Sequence, residues 1–304
     1  MRGLIRRATV VAGAAVVVLG SAGGLAAATA LTAPAATAAG GGGSPPPVGT
    51  VRVTGSLRVD PSLHYRTELA RPRTLTASTI TTSNWSGYAV RANSGQTIGR
   101  IQGLFSIPNV DCARSTLGTS GSALWSDWVG LDGRTTSTVE QIGVAAECTS
   151  TTGPATYFAF YEMYPSNGVT LTGTGVNPGD AIVVIVQKVS TGWKLLLQDR
   201  TTGASVTTVQ TCPSGSTCRD ASGEVITEDY NTSVPAYNLA DFGIDNQTDL
   251  LATSGSGRNG GLGSGSLWTS YTIDMANPAN NHRMATPGPL YGGEAFYLSW
   301  NAGS

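Results

Sequence analysis

From residue 83 onward the sequence is a series of short strand-like runs separated by turn residues, and this recurrence limits the fold more than any other feature. The runs cover residues 98–107, 122–131, 138–147, 155–164, 169–174, 181–188, 193–199, 204–210, 223–230, 267–274 and 294–300. No segment repeats apolar residues with a period of 3.6 over twelve or more positions, as an amphipathic helix would. The pattern predicts an all-β fold, a single antiparallel β-sandwich of about 220 residues.

The composition agrees with this prediction. Charged residues make up 12% of the 304-residue chain, about half of the usual share of roughly 25%. Glycine is abundant, with 40 residues. A charge-poor, glycine-rich chain with short apolar runs is typical of an all-β extracellular protein rather than of a helical one.

The N-terminus predicts export. Arg2, Arg6 and Arg7 precede an apolar, uncharged stretch at 8–31, and residues 36–38 form an A-x-A cleavage motif. We therefore interpret residues 1–38 as a signal peptide and expect a secreted, extracellular protein. An uncleaved membrane anchor and a twin-arginine export route both remain open at this stage.

The chain divides by charge into a basic leader and an acidic body. Residues 39–82 are interpreted as a linker, which includes the GGGGSPPP segment, followed by a pro-segment. Residues 40–82 hold five arginines against two acidic residues, whereas residues 83–304 hold ten basic residues against seventeen acidic ones. The resulting charges of +3 and −7 attract near neutral pH and less so in acid. Such a basic segment could be a solvated tail, whereas in an exported enzyme it would be a pro-segment that acts as a latent inhibitor and is released in acid.

The negative charge of residues 83–304 also limits which kinds of molecule the protein can bind. A net charge of −7 argues against nucleic acid as a ligand of the 83–304 domain. Once the leader is processed no membrane contact is expected, and we expect a monomer.

The four cysteines predict two disulfides. Cys212 and Cys218 flank a short loop that resembles a clipped hairpin, which leaves Cys112 to pair with Cys148. An exported chain permits such bridges, and the CxxC spacing of a zinc site is absent.

The common catalytic motifs are missing. His282 is the one histidine of the 83–304 domain, in a polar stretch typical of a surface loop, and no G-x-S-x-G accompanies it. No H-E-x-x-H, D-x-D-x-D-G or G-x-x-x-x-G-K-[ST] motif indicates a metal or a nucleotide. We therefore expect no cofactor and no metal, and a hydrolase of this sequence would depend on carboxylates and amides.

Two strand-like runs carry glutamates beside aromatic or aliphatic residues. Alternation along a strand places each of two sets on one face: Phe158, Phe160, Glu162 and Tyr164, and Glu224, Ile226 and Glu228. A carboxyl group on an apolar inner face has a raised pKa, which suits acid–base chemistry. The same alternation is compatible with glutamates that face solvent on an outer sheet.

Four segments together resemble a known family. They are Asn84–Tyr88 (NWSGY), Trp128–Gly133 (WVGLDG) with the following QIG at 141–143, Tyr161–Pro165 (YEMYP) and Glu224–Asp229 (EVITED). In this order they resemble the glutamic peptidases, also called eqolisins. The resemblance spans almost all of the body.

The resemblance implies a concanavalin-like sandwich of two bent antiparallel sheets and pepstatin-insensitive proteolysis at acid pH. It also implies that Gln141 and Glu224 are the catalytic pair. The residues expected to line the substrate cleft are Trp128, Asp132, Glu162 and Tyr164, with Phe160 on the same face as Glu162. Two positions depart from the family pattern, since Val225 and Met163 stand where it has tryptophan.

The predicted function is therefore a secreted acid endopeptidase in which Glu224 is general base and acid and Gln141 stabilises the oxyanion. A lectin-like glycoside hydrolase using Glu224 and Glu228 is the alternative, together with a carbohydrate-binding module. Four residues apart on one strand, these glutamates have Cα atoms about 13 Å apart. A glycosidase pair needs carboxyl groups about 5–9.5 Å apart, which disfavours this pair, although Glu162 could partner either of them.

Overall fold

The computed structural model describes the backbone of residues 58–59 and, in full, residues 79–93, 95–230 and 238–304. The predicted signal peptide and most of the predicted pro-segment lie outside this range. Within it, no helix has the length and apolarity that crossing a membrane would require.

The described chain is built from strands. They are β1 (Arg58–Val59), β2 (Thr79–Thr82), β3 (Trp85–Ala92), β4 (Ile98–Ser106), β5 (Ala123–Asp132), β6 (Val139–Cys148), β7 (Thr156–Tyr164), β8 (Val169–Leu171), β9 (Ala181–Val189), β10 (Gly192–Asp199), β11 (Ser205–Gln210), β12 (Gly223–Glu228), β13 (Ile244–Ser254), β14 (Asn259–Gly261), β15 (Trp268–Ala276), β16 (Arg283–Pro287) and β17 (Phe296–Trp300).

Strand pairing produces two series of neighbours. The first sheet runs β1–β8–β7–β6–β5–β12–β3–β15–β2. The second runs β11–β10–β9–β4–β13–β17, with β14 also paired to β13. Strand β16 pairs with both β15 and β17 and thus joins the two. The prediction of an all-β, antiparallel fold is confirmed, although β2 and β15 pair in parallel.

The main hydrophobic core lies between the two sheets. Val129, Ile142 and Val225 contribute from the first sheet, and Val184 and Leu250 from the second; all five are fully buried. Burying each such side chain stabilises the fold by about 1.5–3 kcal/mol. Because side chains alternate along a strand, the neighbours of these residues in the first sheet point to the opposite face.

Both predicted disulfides are confirmed. Cys112 is bonded to Cys148 with a Cα–Cα distance of 5.4 Å, and Cys212 is bonded to Cys218 at 5.9 Å. His282 is exposed, as expected for a surface loop.

The folded part of the chain begins before residue 83. Residues 79–82, which the sequence analysis assigned to the pro-segment, form β2 and pair with residues 272–275 of β15.

Candidate active site

The face of the first sheet turned away from the inter-sheet core carries the candidate site, and we call it the site face. Glu162 on β7 lies opposite Gln141 on β6, and Gln141 lies opposite Gly130 on β5. Gly130 in turn lies opposite Glu224 on β12. Directly paired residues point to the same face of a sheet. The four residues therefore form one row across four neighbouring strands.

Gly130 places no side chain of its own between Gln141 and Glu224. Neighbouring strands are about 4.8 Å apart, so the Cα atoms of Gln141 and Glu224 are about 10 Å apart across β5. A Cβ added at Gly130 would come within 2.9 Å of the Trp128 ring and 3.1 Å of Val139. The position of Gly130 is thus covered by the Trp128 ring and Val139 rather than by a side chain of its own, and we call this part of the row, between Gln141 and Glu224, the lane.

The Gln141 amide is held by a carboxyl group. Its Nε2 donates a hydrogen bond of 2.7 Å to Oε2 of Glu162. A primary amide has two N–H groups, so this bond fixes the orientation of the amide and leaves a second N–H for another acceptor. Gln141 and Glu162 are each 1% exposed.

Glu224 is fully buried, and burial raises the pKa of its carboxyl group well above the ordinary value. The Ser222 hydroxyl and the Arg134 backbone N–H lie near it and favour its ionised form, whereas the charge on Asp132 opposes ionisation. Within the described ranges, neither carboxyl oxygen of Glu224 has a hydrogen-bond partner of normal geometry. Because Glu224 is fully buried, a molecule from solution could reach its carboxyl group only if part of the surrounding structure moved.

Glu228 lies on the same face as Glu224 but has a different environment. Its Oε1 accepts hydrogen bonds from Asn84 Nδ2 (2.8 Å) and Trp85 Nε1 (2.9 Å). Its Oε2 accepts one from Trp128 Nε1 (2.8 Å). Burial raises the pKa of Glu228 to about 8, although the indole donors oppose this shift. Since three N–H donors occupy the carboxyl group, Glu228 anchors the two tryptophans and is a poor partner for Glu224 in glycoside hydrolysis.

The comparison with known families fits this geometry. The profile of the Peptidase A4 family matches residues 83–286, about two thirds of the chain. The chain belongs to the Peptidase A4 family. Its members are the glutamic peptidases, or eqolisins, that the sequence motifs resembled.

Individual members of the Peptidase A4 family are similar to this chain. Aspergillopepsin-2 of Aspergillus niger is 33% identical over 191 residues, which cover 57% of this chain and 65% of that protein. Scytalido-glutamic peptidase, solved with a transition state analog inhibitor, is 25% identical with a TM-score of 0.57, covering 72% of this chain and 98% of the other. Aspergilloglutamic peptidase from Aspergillus niger is 25% identical with a TM-score of 0.51, covering 59% and 99%.

The structure of this family member brings most of the predicted site residues together. Trp128, Phe160 and Tyr164 belong to one hydrophobic cluster on the site face. Phe160 lies opposite Gly143, the residue that also pairs with Trp128. The ring of Trp128 contacts that of Trp85 edge-on, with centroids 4.9 Å apart. The aromatic residues therefore form a mostly buried apolar cluster beside the row of Gln141 and Glu224.

Asp132 has a different position from the other predicted cleft residues. It ends β5 with a positive φ of 68° and is fully buried. Its carboxylate accepts hydrogen bonds from the backbone N–H groups of Arg219 (2.6 Å), Asp220 (2.9 Å) and Ala221 (2.8 Å). These bonds fix the segment that leads into β12 and so position Glu224.

One cluster of carboxylate side chains among the described residues is compact enough to hold a metal ion. It consists of Asp132, Glu140 and Asp220, whose ligand atoms lie within 4.8 Å of one another. Asp132 is bonded to three amides, as above. Asp220 accepts a hydrogen bond from Trp193 Nε1 (2.7 Å) and lies 3.8 Å from the Lys188 ammonium group. This leaves Glu140 alone with two free oxygens, which is too few ligands for a divalent cation.

The sequence analysis did not predict the residues that continue the row beyond Glu224. Ala89 on β3 lies opposite Glu224, and Tyr271 on β15 lies opposite Ala89. The Arg134 guanidinium lies over the Tyr271 ring, 3.5 Å from its centroid. Tyr271 falls in a predicted strand, but its pairing partner cannot be read from the sequence. Arg134 lies in a loop without any motif.

Proposed function

We propose that the protein is a secreted acid endopeptidase that hydrolyses peptide bonds with Glu224 and Gln141. The row Gln141–Gly130–Glu224 is the observation that carries this proposal. Membership of the Peptidase A4 family supports it. The two disulfides support the extracellular location.

The proposed chemistry begins with a water molecule between the two side chains. Ionised Glu224 takes a proton from this water as its oxygen bonds to the peptide carbonyl carbon. The free N–H of Gln141 donates to the carbonyl oxygen as negative charge develops there. Glu224 then transfers the proton to the peptide nitrogen, the C–N bond breaks, and an acid and an amine are released.

The position of Gln141 suits the role of an oxyanion donor. An amide does not titrate, so it can donate at any acidic pH. Its hydrogen bond to Glu162 limits its rotation. A donor held in place before the reaction stabilises the transition state without further reorganisation.

The environment of Glu224 sets a condition for activity. Burial keeps the carboxyl group protonated in acid, whereas a general base must be ionised. Contact with water would return its pKa towards about 4.3. We therefore propose that the buried state is inactive and that opening of the site precedes catalysis.

The predicted pro-segment offers a reason for such a latent state. Its charge of +3 opposes the −7 of the body, and this attraction weakens as carboxylates protonate. Residues 60–78 lie outside the described range, so the pro-segment remains a proposal based on sequence.

The experiment is digestion of acid-denatured casein by the purified, matured protein between pH 2.5 and 7, with pepstatin and a chelator in parallel. Glu224→Gln should lower the rate about 10²–10⁴-fold, and Gln141→Ala about 10²–10³-fold. Glu147→Gln is the matched control, because Glu147 is a partly buried glutamate at the far end of β6. Its rate should equal that of the wild type.

Glu228→Gln separates the two glutamates of β12. It should reduce the rate much less than Glu224→Gln, since Glu228 contacts tryptophans and not the Gln141 lane. Far-UV circular dichroism of each variant reports whether the fold is kept. The proposal is wrong if a folded Glu224→Gln variant digests casein at the wild-type rate, or if Glu228 alone proves indispensable.

A further inference from the structure

The site face is electrically asymmetric along the row of paired residues. One end carries Glu162, hydrogen-bonded to Gln141. At the other end, beyond Glu224 and Ala89, lies Tyr271 with the Arg134 guanidinium on its ring. A positive group thus lies on the Glu224 side of the proposed reaction centre.

The contact with Tyr271 holds Arg134 in place. Arg134 is in the loop of residues 133–138 between β5 and β6 and is half-buried. A guanidinium stacked on an aromatic ring keeps its plane fixed and its edge N–H groups available. The side chain is therefore oriented before any ligand arrives.

Within the described part of the chain, no acidic side chain lies within ion-pair distance of Arg134. The ion pairs of the described residues are Arg114–Asp241, Lys188–Asp220 and Arg283–Asp274. Arg134 is in none of them, and its buried Nε has no hydrogen-bond acceptor among these residues. Because the side chain is only half-buried, its accessible N–H groups can bind an external carboxylate, and charge-assisted bonds of this kind are strong.

Arg91 adds to the positive charge at this end. It lies two residues beyond Ala89 on β3, hence on the same face, and it is exposed. Its charge acts on Arg134, as does that of Glu224. A negatively charged side chain would therefore be attracted to this end of the site from solution.

We propose that Arg134 is a specificity-determining residue that recognises an aspartate or glutamate side chain of the peptide substrate. Tyr271 and Glu224 are two strands apart, about 10 Å, and an extended peptide advances about 3.3 Å per residue. The recognised residue lies within about three positions of the scissile bond. This inference rests on the proposed function, because it assumes that peptides bind at the row.

The test uses pairs of fluorogenic peptides that differ by a single Glu or Gln, scanned over three positions on each side of the cleaved bond. The measured quantity is the ratio of kcat/KM for the Glu peptide to that for its Gln partner. At one position the ratio should reach about tenfold at pH 5, a factor typical of a bidentate arginine–carboxylate contact. At pH 3 it should fall towards one, because the substrate carboxyl, with a pKa of about 4.3, is then protonated.

Substitutions of Arg134 and Tyr271 test whether this arginine causes the preference for the Glu peptide. Arg134→Gln should remove the preference at pH 5, and Arg134→Lys should retain part of it, since lysine keeps the charge but not the planar fork. Tyr271→Leu should weaken it by releasing the guanidinium. Arg200→Gln, at an exposed turn between β10 and β11, is the matched control and should keep the wild-type ratio.

Two results would overturn the inference. One is a wild-type ratio near one at all six positions and at pH 5. The other is a preference that survives unchanged in Arg134→Gln. In both cases peptides are cleaved and Glu224→Gln still abolishes cleavage, so the proposed function stands. Cleavage that does not depend on Glu224 would instead remove the proposed function.

Discussion

Replacing Glu140 by glutamine should change how the stability of the fold depends on pH. Glu140 is fully buried on β6, and among the described residues neither carboxyl oxygen has a hydrogen-bond partner of normal geometry, although the Thr138 hydroxyl lies near and partly opposes the rise in pKa. Burial raises its pKa from 4.5 to about 9, with the nearby charges of Asp132 and Asp220 adding to the effect. Glutamine has nearly the same shape, cannot ionise, and can donate to those carboxylates.

The direction and size of this effect follow from the linkage between proton binding and folding. A carboxyl group whose pKa is higher in the folded state stabilises the fold fully below the unfolded value of 4.5 and loses that contribution as pH rises towards 9. Each pH unit between these two values lowers the free energy of unfolding by about 1.4 kcal/mol. From pH 4.5 to 7 the loss due to Glu140 is about 3 kcal/mol, which corresponds to about 6–12 °C in Tm for a domain of this size.

Urea unfolding at pH 4, 5, 6 and 7 measures this contribution. Wild type and Glu140→Gln should both be made in the Gln141→Ala background, so that self-digestion does not shorten the chain. The variant should match or fall slightly below the wild type at pH 4 and exceed it by about 3 kcal/mol at pH 7. Asp127, Glu228 and Asp245 are buried with raised pKa values and lower the stability of both proteins alike as pH rises.

The same substitution at Glu147 is the control. Glu147→Gln also changes a glutamate of β6, but at a partly exposed position, and its pH dependence should follow that of the wild type. Parallel stability curves for wild type and Glu140→Gln between pH 4 and 7 would show that Glu140 is not a buried, protonated group.

Two further predictions concern the lane and the leader. Gly130→Ala adds a methyl group within 2.9 Å of the Trp128 ring and should lower kcat/KM at least about tenfold while the fold persists. The control Gly153→Ala, with nothing within 4 Å, should leave kcat/KM unchanged. Equal activity of the two variants would contradict the proposal that catalysis takes place across Gly130. The chain without its signal peptide should be inactive at pH 7 and should shorten by roughly 4–5 kDa at pH 3.5, as expected for loss of the residues between the signal peptide and β2, about 40 residues at about 0.11 kDa each. Full activity of the unshortened chain would show that the segment is only a tether.

Strands with strong patterns could be predicted from sequence almost to their ends. The run at 138–147 became β6, Val139–Cys148, and the run at 155–164 became β7, Thr156–Tyr164. Each is bounded by turn residues and rich in aromatic or β-branched side chains. Local propensity and tertiary packing agree in these segments.

Two other strands could not be predicted because long-range contacts determine them. Strand β13 is polar, and its buried Gln247 donates to Asp245 on the same strand and to Asp127 on β5. Strand β3 contains Gly87 with φ of 142°, where an added Cβ would come within 2.2 Å of the Val225 carbonyl oxygen. Neither a polar strand nor a glycine required by a neighbouring backbone leaves a strand-like pattern.

In the candidate site too, local motifs predicted some features, whereas long-range contacts determine the others. Family motifs indicated Gln141 and Glu224, and alternation placed Glu224 on one face with Glu228. The two departures from the family pattern, Met163 and Val225, lie in the inter-sheet core rather than on the site face. They therefore affect sheet packing more directly than cleft shape. The depth of burial, and the pKa shifts that follow from it, depend on pairings across the whole sheet and have no local signature.

The hydrogen bonds of Asp132 have a consequence for engineering. This one carboxylate ends the strand before the 133–138 loop and holds the three amides that precede β12. The loop that presents Arg134 and the segment that presents Glu224 are thereby mechanically coupled. Libraries that diversify one of these loops alone will often misplace the other, and beneficial substitutions in the two should show epistasis. Specificity in this scaffold is best recombined by exchanging both segments, with Asp132 retained, as a single cassette.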